Sequence, residues 1–250
     1  MFGLKDIFTT INVLGGVVAI CLCIEGEPYW AGVSIMIGYA VGDTMDGWVA
    51  RKLNSANEFG SEYDTIADHN AHIIAPAAVV YTVYRDVGLL PAPWDQVLAM
   101  ALAGSIIVAA SVRHARNIVR PVSYKGIWAG LPRSVLGFLA IAYVNSTLAP
   151  HLLGGWWLGV GFIAFISFST LTYWPFGNHH LARRMRGAAW FGITVTFGGT
   201  VAAAVLAPTF LFDVFLFFMV GYSLTSWMLL TRAELKEFRE LVRTTVSAKV

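Results

Sequence analysis

The chain has 250 residues and a formal net charge of +2, and 57% of its residues are apolar whereas only 13% are charged. Soluble domains carry about 25% charged residues, so this composition excludes an ordinary soluble domain and indicates a membrane protein. The mean hydropathy of +0.64 agrees with that class.

Eight apolar runs are long enough to cross the ~30 Å hydrocarbon core of a bilayer. In chain order they cover roughly residues 7–24, 29–48, 64–84, 95–113, 134–150, 155–173, 188–207 and 209–230. We therefore predict an all-α fold, a polytopic membrane helix bundle of about eight transmembrane helices that forms a single domain over residues 1–250.

Basic residues are distributed unequally between the two sides of such a bundle. With eight spans, Arg85 alone falls on one side, and all the other basic residues fall on the opposite side. That larger group consists of Lys5, Arg51, Lys52, Arg113, Arg116, Arg120, Lys125, Arg133, Arg183, Arg184, Arg186, Arg232, Lys236, Arg239, Arg243 and Lys249. This positive-inside pattern predicts that both termini and the longer polar loops are cytoplasmic.

Two further patterns concern the surface of the bundle. Residues 232–243 place Leu235, Phe238 and Leu241 or Val242 on one stripe, which predicts an amphipathic helix lying at the cytoplasmic membrane interface. Gly155 and Gly159 form a GxxxG pair, which indicates close helix packing either in a homodimer or within one chain.

Four aspartates lie near the predicted cytoplasmic ends of the second and third helices. Asp43 and Asp46 are three residues apart, and Asp64 and Asp68 are four apart, so each pair shares one helical face. If the second helix begins near Tyr29, Asp43 lies about 21 Å along it, in the inner third of the bilayer. Clustered carboxylates there repel one another, so protonation or bound cations must offset their charge. Oxygen ligands without cysteine favour Mg²⁺, Mn²⁺ or Ca²⁺.

Neighbouring residues extend this site. Gly47 and Gly60 have no side chain, so a ligand could approach the backbone closely at these positions. The planar guanidinium cation of Arg51 can bind phosphate oxygens. Together with the aspartates they describe a site for a pyrophosphate ester. The alternative is a set of ordinary helix-end residues, in which Asp64 complements a helix dipole and Arg51 follows the positive-inside rule.

The order Asp-x2-Asp-Gly-x2-Ala-Arg-x8-Gly-x3-Asp-x3-Asp over residues 43–68 resembles the complete signature of the CDP-alcohol phosphotransferases. The resemblance implies two divalent cations, Mg²⁺ or Mn²⁺ with Ca²⁺ also possible, and a general base at Asp68. The implied metal ligands are Asp43, Asp46, Asp64 and Asp68. The implied CDP-binding residues are Asp43, Gly47, Ala50, Arg51, Gly60 and Asp64.

Segments on both sides of this signature resemble the membrane-embedded phosphatidylserine synthases within that family. The similar segments are Phe8–Gly16, Arg113–Asn117, Gly130–Pro132 and Ser169–Pro175. This likeness implies transfer of a phosphatidyl group from CDP-diacylglycerol, or from CDP-archaeol, to L-serine with release of CMP. Residues 69–72 and Arg133 depart from the usual pattern, which leaves inositol phosphate, glycerol phosphate, ethanolamine or choline open as acceptors.

The partners expected from this likeness are a CDP-lipid donor, a small alcohol acceptor, membrane lipids and a second copy of the chain, with no nucleic acid. We expect the acceptor-binding residues to be His72, Arg116, Asn117, Lys125 and Arg133. The rival from another class is a cation transporter that uses membrane aspartates. Transporters favour inverted repeats and binding sites near the middle of the membrane, and this sequence indicates neither. A transporter function would also leave Arg51, Gly47 and Gly60 unexplained.

Overall fold

The computed structural model describes residues 3–45, 49, 52, 57–178 and 188–247, and most of these residues are helical. The first elements are α1 (Leu4–Ile24), α2 (Pro28–Ile37) with the π-helical segment π1 (Gly38–Asp43), and α3 (Glu58–His69) with π2 (Asn70–Ile74) and α4 (Ala75–Val87). Next come α5 (Trp94–Val119), strand β1 (Ile127–Ala129), α6 (Arg133–Asn145), α7 (Trp156–Leu171) and strand β2 (Pro175–Gly177). The last elements are α8 (Ala188–Leu206), a 3₁₀ turn (Pro208–Phe210), α9 (Leu211–Thr225), a second 3₁₀ turn (Ser226–Leu229) and α10 (Arg232–Ser247).

The helices agree with a membrane protein. Among the described residues, three helical stretches are long and apolar enough to cross a bilayer: Leu4–Ile24, Trp94–Val119 and Pro208–Met228. Helices α6 and α7 are apolar but shorter. The predicted helical membrane fold is thus confirmed at this level, whereas the number of eight spans and the side on which the termini lie stay predictions.

The chain forms two compact units, Met1–Ile107 and Val108–Val250. The single domain expected over residues 1–250 stays a prediction.

In the first unit, α1 packs tightly against α2 and π1. A Cβ atom on Gly15 would lie 2.8 Å from the Gly38 Cα atom, and one on Gly42 would lie 2.6 Å from the Asn12 backbone nitrogen. The Ser34 hydroxyl donates to the Gly15 carbonyl at 2.9 Å. Small residues allow this close backbone approach, which van der Waals packing between membrane helices requires.

The other side of α1 contacts π2. A Cβ atom on Gly16 would lie 2.9 Å from the Ala71 Cα atom, so these two backbones are also in close contact. The Asn70 side-chain amide donates to the Val13 carbonyl at 3.1 Å. Helix α1 therefore holds π1 on one side and π2 on the other.

The second unit is organised around α6. Every residue of α6 from Val135 to Val144 is buried, and the Phe138 ring packs edge-on against Phe215 of α9 with ring centroids 5.7 Å apart. The Asp213 carboxylate in the first turn of α9 accepts hydrogen bonds from the backbone N–H groups that follow α6. These contacts connect α6 to α9.

Strands β1 and β2 form a two-stranded antiparallel sheet, which the all-α prediction did not include. Ile127 is opposite Gly177, and Ala129 is opposite Pro175. The turn after β1 needs a glycine, because Gly130 has a φ of +76° and donates its N–H to the Trp174 carbonyl at 2.8 Å. Each strand has only three residues, too few to produce a detectable alternation in the sequence.

The C-terminal amphipathic helix is present as α10, and its apolar stripe has an intramolecular partner. Phe238 is buried in a cluster with Ile127 of β1 and with Leu230, and Leu235 and Val242 pack against the same cluster. The interfacial location predicted for residues 232–243 stays a prediction. Any membrane contact would have to use surfaces of α10 other than these packed residues.

The glycine contact between α1 and π1 can be tested by substitution. We expect Gly15→Ala to lower the free energy of unfolding by about 1–3 kcal/mol, because the new methyl group would overlap the Gly38 backbone. The control is Gly104→Ala in α5, where a Cβ atom would meet no described heavy atom within 4 Å. Thermal unfolding in detergent measures both, and equal midpoints for the two variants would contradict the packing argument.

Candidate metal centre

Three of the four predicted metal ligands lie together in the first unit. Asp43 ends π1, and Asp64 and Asp68 lie on α3. One carboxylate oxygen from each residue lies within 4.8 Å of one from each of the other two, and all three residues are half-buried. Oxygens bound to one Mg²⁺ or Ca²⁺ at about 2.0–2.6 Å are at most about 4–5 Å apart, so this group fits a divalent cation.

The charge of the group supports the same conclusion. Three carboxylates this close repel one another strongly when water is partly excluded, and a divalent cation offsets that repulsion. Carboxylate oxygens are hard ligands, and the group includes neither cysteine nor histidine. This ligand set favours Mg²⁺, Mn²⁺ or Ca²⁺ over softer metals.

Four of the predicted site residues lie outside the described residues: Asp46, Gly47, Ala50 and Arg51. Their roles as a metal ligand and as CDP-binding residues stay predictions.

Gly60, a predicted CDP-binding residue, is buried in the first turn of α3, where its N–H donates to the capping Asn57 side chain at 2.7 Å. A side chain at Gly60 would overlap the Lys5 side chain and crowd the Asp6 carboxylate. Lys5 and Asp6 are themselves buried, with Nζ 3.6 Å from Oδ1. Gly60 therefore makes room for a buried ion pair, which the sequence analysis did not anticipate, and its contact with CDP stays a prediction.

Asp68 has two polar neighbours from different helices. The Asn12 side-chain amide on α1 donates to Asp68 Oδ1 at 3.4 Å, and Nδ1 of His72 lies 3.2 Å from the same oxygen. The imidazole is only 2% exposed and packs edge-on against the Tyr39 ring at 5.4 Å between centroids. His72, expected to bind the acceptor, is thus a buried neighbour of Asp68, and its acceptor contact stays a prediction.

Two features of this site were missed by the sequence analysis. Both carboxylate-bearing helices contain a π-helical segment next to the site, π1 ending at Asp43 and π2 beginning just after Asp68. Such segments are rare in proteins as a whole, and where they occur they are often at functional sites. The hydropathy pattern of a sequence does not reveal them. Asn12 was also missed as a site residue, although a polar side chain within an apolar span was a detectable signal.

The remaining expected acceptor residues lie in the second unit. Nη1 of Arg116 donates to the carbonyls of Leu171 and Thr172 at 2.6 and 3.1 Å, and Nη2 donates to the Ala129 carbonyl at 3.2 Å. The guanidinium also stacks over the Tyr173 ring at 4.3 Å. Arg116 therefore connects the end of α7 to β1.

The other three residues of that group differ in exposure. Lys125 is exposed, whereas Asn117 is half-buried. Arg133 begins α6 and is half-buried, and its buried Nη1 atom has no hydrogen-bond partner among the described residues. The acceptor-binding role of all four residues, Arg116 included, stays a prediction.

Comparison with known families identifies the class of protein. The model of the CDP-alcohol phosphatidyltransferase family matches residues 3–174, which is more than half of the chain. The chain belongs to the CDP-alcohol phosphatidyltransferase family.

Individual relatives are similar at modest identity. The CDP-diacylglycerol–serine O-phosphatidyltransferase of Mycobacterium bovis is 26% identical over 167 residues, which are 65% of this chain and 55% of that protein. Archaetidylserine synthase of Methanothermobacter thermautotrophicus is 30% identical over 95 residues, 36% of this chain and 40% of that protein. The CDP-diacylglycerol–serine O-phosphatidyltransferase of Methanocaldococcus jannaschii is 32% identical over 82 residues, 33% of this chain and 37% of that protein. This chain thus spans about half the length of the curated relatives it matches.

The metal centre can be tested without any assumption about the reaction. We expect Asp64→Asn to weaken Mn²⁺ binding at least tenfold, because it removes one charged ligand and preserves side-chain size. Electron paramagnetic resonance of free Mn²⁺ measures the affinity. Glu62→Gln, an exposed neighbour on α3, is the matched control, and a similar small change for both variants would contradict the site.

Proposed function

We propose that this protein transfers a phosphatidyl group from CDP-diacylglycerol, or from an archaeal CDP-lipid, to a small alcohol, with L-serine favoured. The observation that carries the proposal is the convergence of Asp43, Asp64 and Asp68 within 4.8 Å, inside a chain of the CDP-alcohol phosphatidyltransferase family. The alcohol oxygen attacks the lipid-side phosphorus, the bond from that phosphorus to the bridging oxygen breaks, and CMP leaves.

The aspartates have distinct roles in this proposal. Asp43, Asp46, Asp64 and Asp68 hold two divalent cations, Mg²⁺ or Mn²⁺. Bound cations of this kind neutralise pyrophosphate charge and stabilise a leaving phosphate. Asp68 accepts the proton of the attacking hydroxyl, because a carboxylate beside cations stays ionised and lies close to the reacting oxygen.

The CDP group is bound by the helix backbone and by the guanidinium group of one arginine. Gly47 and Gly60 allow close approach to the helix, beside Ala50, and Arg51 pairs with phosphate oxygens. Asp43 and Asp64 complete this set through the cations that they hold. A lipid substrate fits a site near the end of the helices, because the headgroup meets the protein at the interface while its chains stay in the bilayer.

Serine is the favoured acceptor because the similar proteins of Mycobacterium bovis and Methanocaldococcus jannaschii carry serine in their names. The expected acceptor residues are His72, Arg116, Asn117, Lys125 and Arg133, since arginine suits the carboxylate of an amino acid. The departures at residues 69–72 and at Arg133 keep inositol phosphate, glycerol phosphate, ethanolamine and choline as the alternatives.

The membrane arrangement that accompanies this function has eight spans, cytoplasmic termini and a cytoplasmic active site. It is supported by the distribution of basic residues, of which only Arg85 falls on the outer side. A homodimer remains part of the proposal. Gly159 of the GxxxG pair is buried within this chain, which favours a packing role inside one copy for that residue.

A cation transporter is the alternative from another class. Turnover of a CDP-lipid separates the two functions, because a transporter would move ions without consuming it. The family match and the carboxylates near helix ends favour the transferase.

Incubation of the purified protein with CDP-diacylglycerol and a panel of alcohols tests the reaction directly. We expect mass spectrometry to detect a new phospholipid with serine, in equimolar amount with CMP. EDTA should abolish the product and excess Mg²⁺ or Mn²⁺ should restore it, because the pyrophosphate charge is no longer neutralised without metal. Full activity in EDTA would falsify the metal-dependent mechanism, and a product only with another alcohol would reassign the acceptor.

The contribution of Asp68 to turnover can be separated from folding and from lipid binding. We expect Asp68→Asn to lower turnover by at least about 100-fold while the protein remains folded and still binds CDP-lipid, because the amide cannot accept the hydroxyl proton. Single-turnover CMP release and lipid binding are the measurements, with Glu62→Gln as the control on the same helix. Substantial turnover by Asp68→Asn would remove the general-base assignment.

A further inference from the structure

The carboxylate of Asp68 is contacted on one oxygen only. Both polar neighbours, the Asn12 amide at 3.4 Å and His72 Nδ1 at 3.2 Å, approach Oδ1. Among the described residues, none donates a hydrogen bond to Oδ2. The two oxygens of Asp68 are therefore in different environments, although the side chain is chemically symmetric.

Asn12 is an unusual residue for the inside of α1. It is 0% exposed, and its Nδ2 donates to Asp68, while its own Oδ1 is buried with no hydrogen-bond partner in the described part of the chain. Burying an amide with an unsatisfied oxygen costs free energy, and an apolar side chain of similar shape would pack at that position without this cost. The contact with Asp68 is the feature that only an amide donor supplies.

The surroundings fix the position of this amide. A Cβ atom on Gly42 would lie 2.8 Å from Asn12 Cβ, so π1 closes over the residue from one side. Two residues away on α1, Thr10 Oγ1 and Tyr63 Oη form a hydrogen bond at 2.9 Å between α1 and α3. These contacts hold α1 against π1 and α3 close to Asn12.

His72 is constrained in a similar way. Its ring is buried and packs edge-on against Tyr39, with a centroid distance of 5.4 Å and an interplanar angle of 71°. Because π2 follows directly after His69, the backbone that carries His72 is wound differently from a regular α-helix. The imidazole is held beside Asp68 from within the same helix, whereas Asn12 approaches from α1.

We propose that Asn12 is a positioning residue for the transfer reaction. Its hydrogen bond to Oδ1 of Asp68, beside the close approach of His72 to the same oxygen, fixes the rotation of the carboxylate. Oδ2 is thereby directed toward the cations and the attacking alcohol, whose proton it receives. This inference rests on the proposed function, in which Asp68 is the general base. It deepens that function by assigning the group that orients the base.

The test compares two shape-preserving substitutions on α1. Asn12→Leu removes the amide that contacts Asp68, and Thr10→Val removes a hydrogen bond to α3 without touching Asp68. We expect Asn12→Leu to lower kcat about tenfold or more at saturating Mn²⁺, with KM for CDP-diacylglycerol within about twofold of the wild type. Thr10→Val should keep kcat within about twofold of the wild type, even if its midpoint of thermal unfolding falls as much as that of Asn12→Leu.

A second measurement does not depend on turnover. We expect the Mn²⁺ affinity, measured by electron paramagnetic resonance, to fall several-fold in Asn12→Leu and to stay unchanged in Thr10→Val, because only the first variant releases a metal ligand. If the wild type makes no phospholipid from any alcohol, the proposed function fails, yet this difference in affinity would still support the positioning of Asp68. Equal effects of the two variants on kcat and on Mn²⁺ affinity would overturn the inference.

His72 provides an independent pair of variants in case Asn12→Leu does not fold. His72→Phe keeps a ring against Tyr39 and removes both nitrogens, whereas His72→Asn retains a side-chain N–H near the place of Nδ1. We expect His72→Phe to lower kcat about tenfold and His72→Asn to recover most of that loss. A loss of the same size in both would show that the imidazole acts through packing alone and would overturn its part in the positioning.

Discussion

The constraint on which the first unit depends is the mutual repulsion of carboxylates that approach within 4.8 Å in an apolar bundle. Such a group converges only if the helices that carry it are held together by other contacts. Helix α1 supplies those contacts, since Gly15 meets Gly38 on one side and Gly16 meets Ala71 on the other. The glycines of α1 therefore serve the site as well as the fold, because each brings an aspartate-bearing helix close to the same axis.

The two π-helical segments that pack against α1 also determine the geometry of the site. Segment π1 ends at Asp43, and π2 begins two residues after Asp68, so the irregular backbone lies where the carboxylates must be aimed. An α-helix fixes side-chain directions by its period, and an inserted residue changes that direction for everything beyond it. The close packing against α1 stabilises these irregular segments and thereby the arrangement of the ligands.

The sequence predicted much of this molecule for identifiable reasons. Apolar runs marked the positions of the helices, and the spacing of Asp43, Asp64 and Asp68 predicted their convergence, because period and hydropathy are local properties. The bonds of Arg116 to Leu171 and Ala129 were not predictable, since they join carbonyls distant in the chain. The partner of Lys5 beneath Gly60 and the packing of α10 on β1 depend in the same way on tertiary contacts that leave no periodic signal.

The contacts of Arg116 change where recognition of an anionic acceptor should be sought. Its Nη1 and Nη2 atoms make three hydrogen bonds to backbone carbonyls, and its face stacks on Tyr173. A guanidinium used in this way has few donors left for a carboxylate. Each arginine has one buried nitrogen without an acceptor among the described residues, Nε in Arg116 and Nη1 in Arg133. In Arg116 both terminal nitrogens are already bonded, whereas in Arg133 the donor without an acceptor is itself a terminal nitrogen, and a buried cationic donor is costly without one. Of the two arginines expected to bind the acceptor, Arg133 therefore fits that role better, and it is also one of the positions, with residues 69–72, at which this chain departs from the phosphatidylserine synthase pattern.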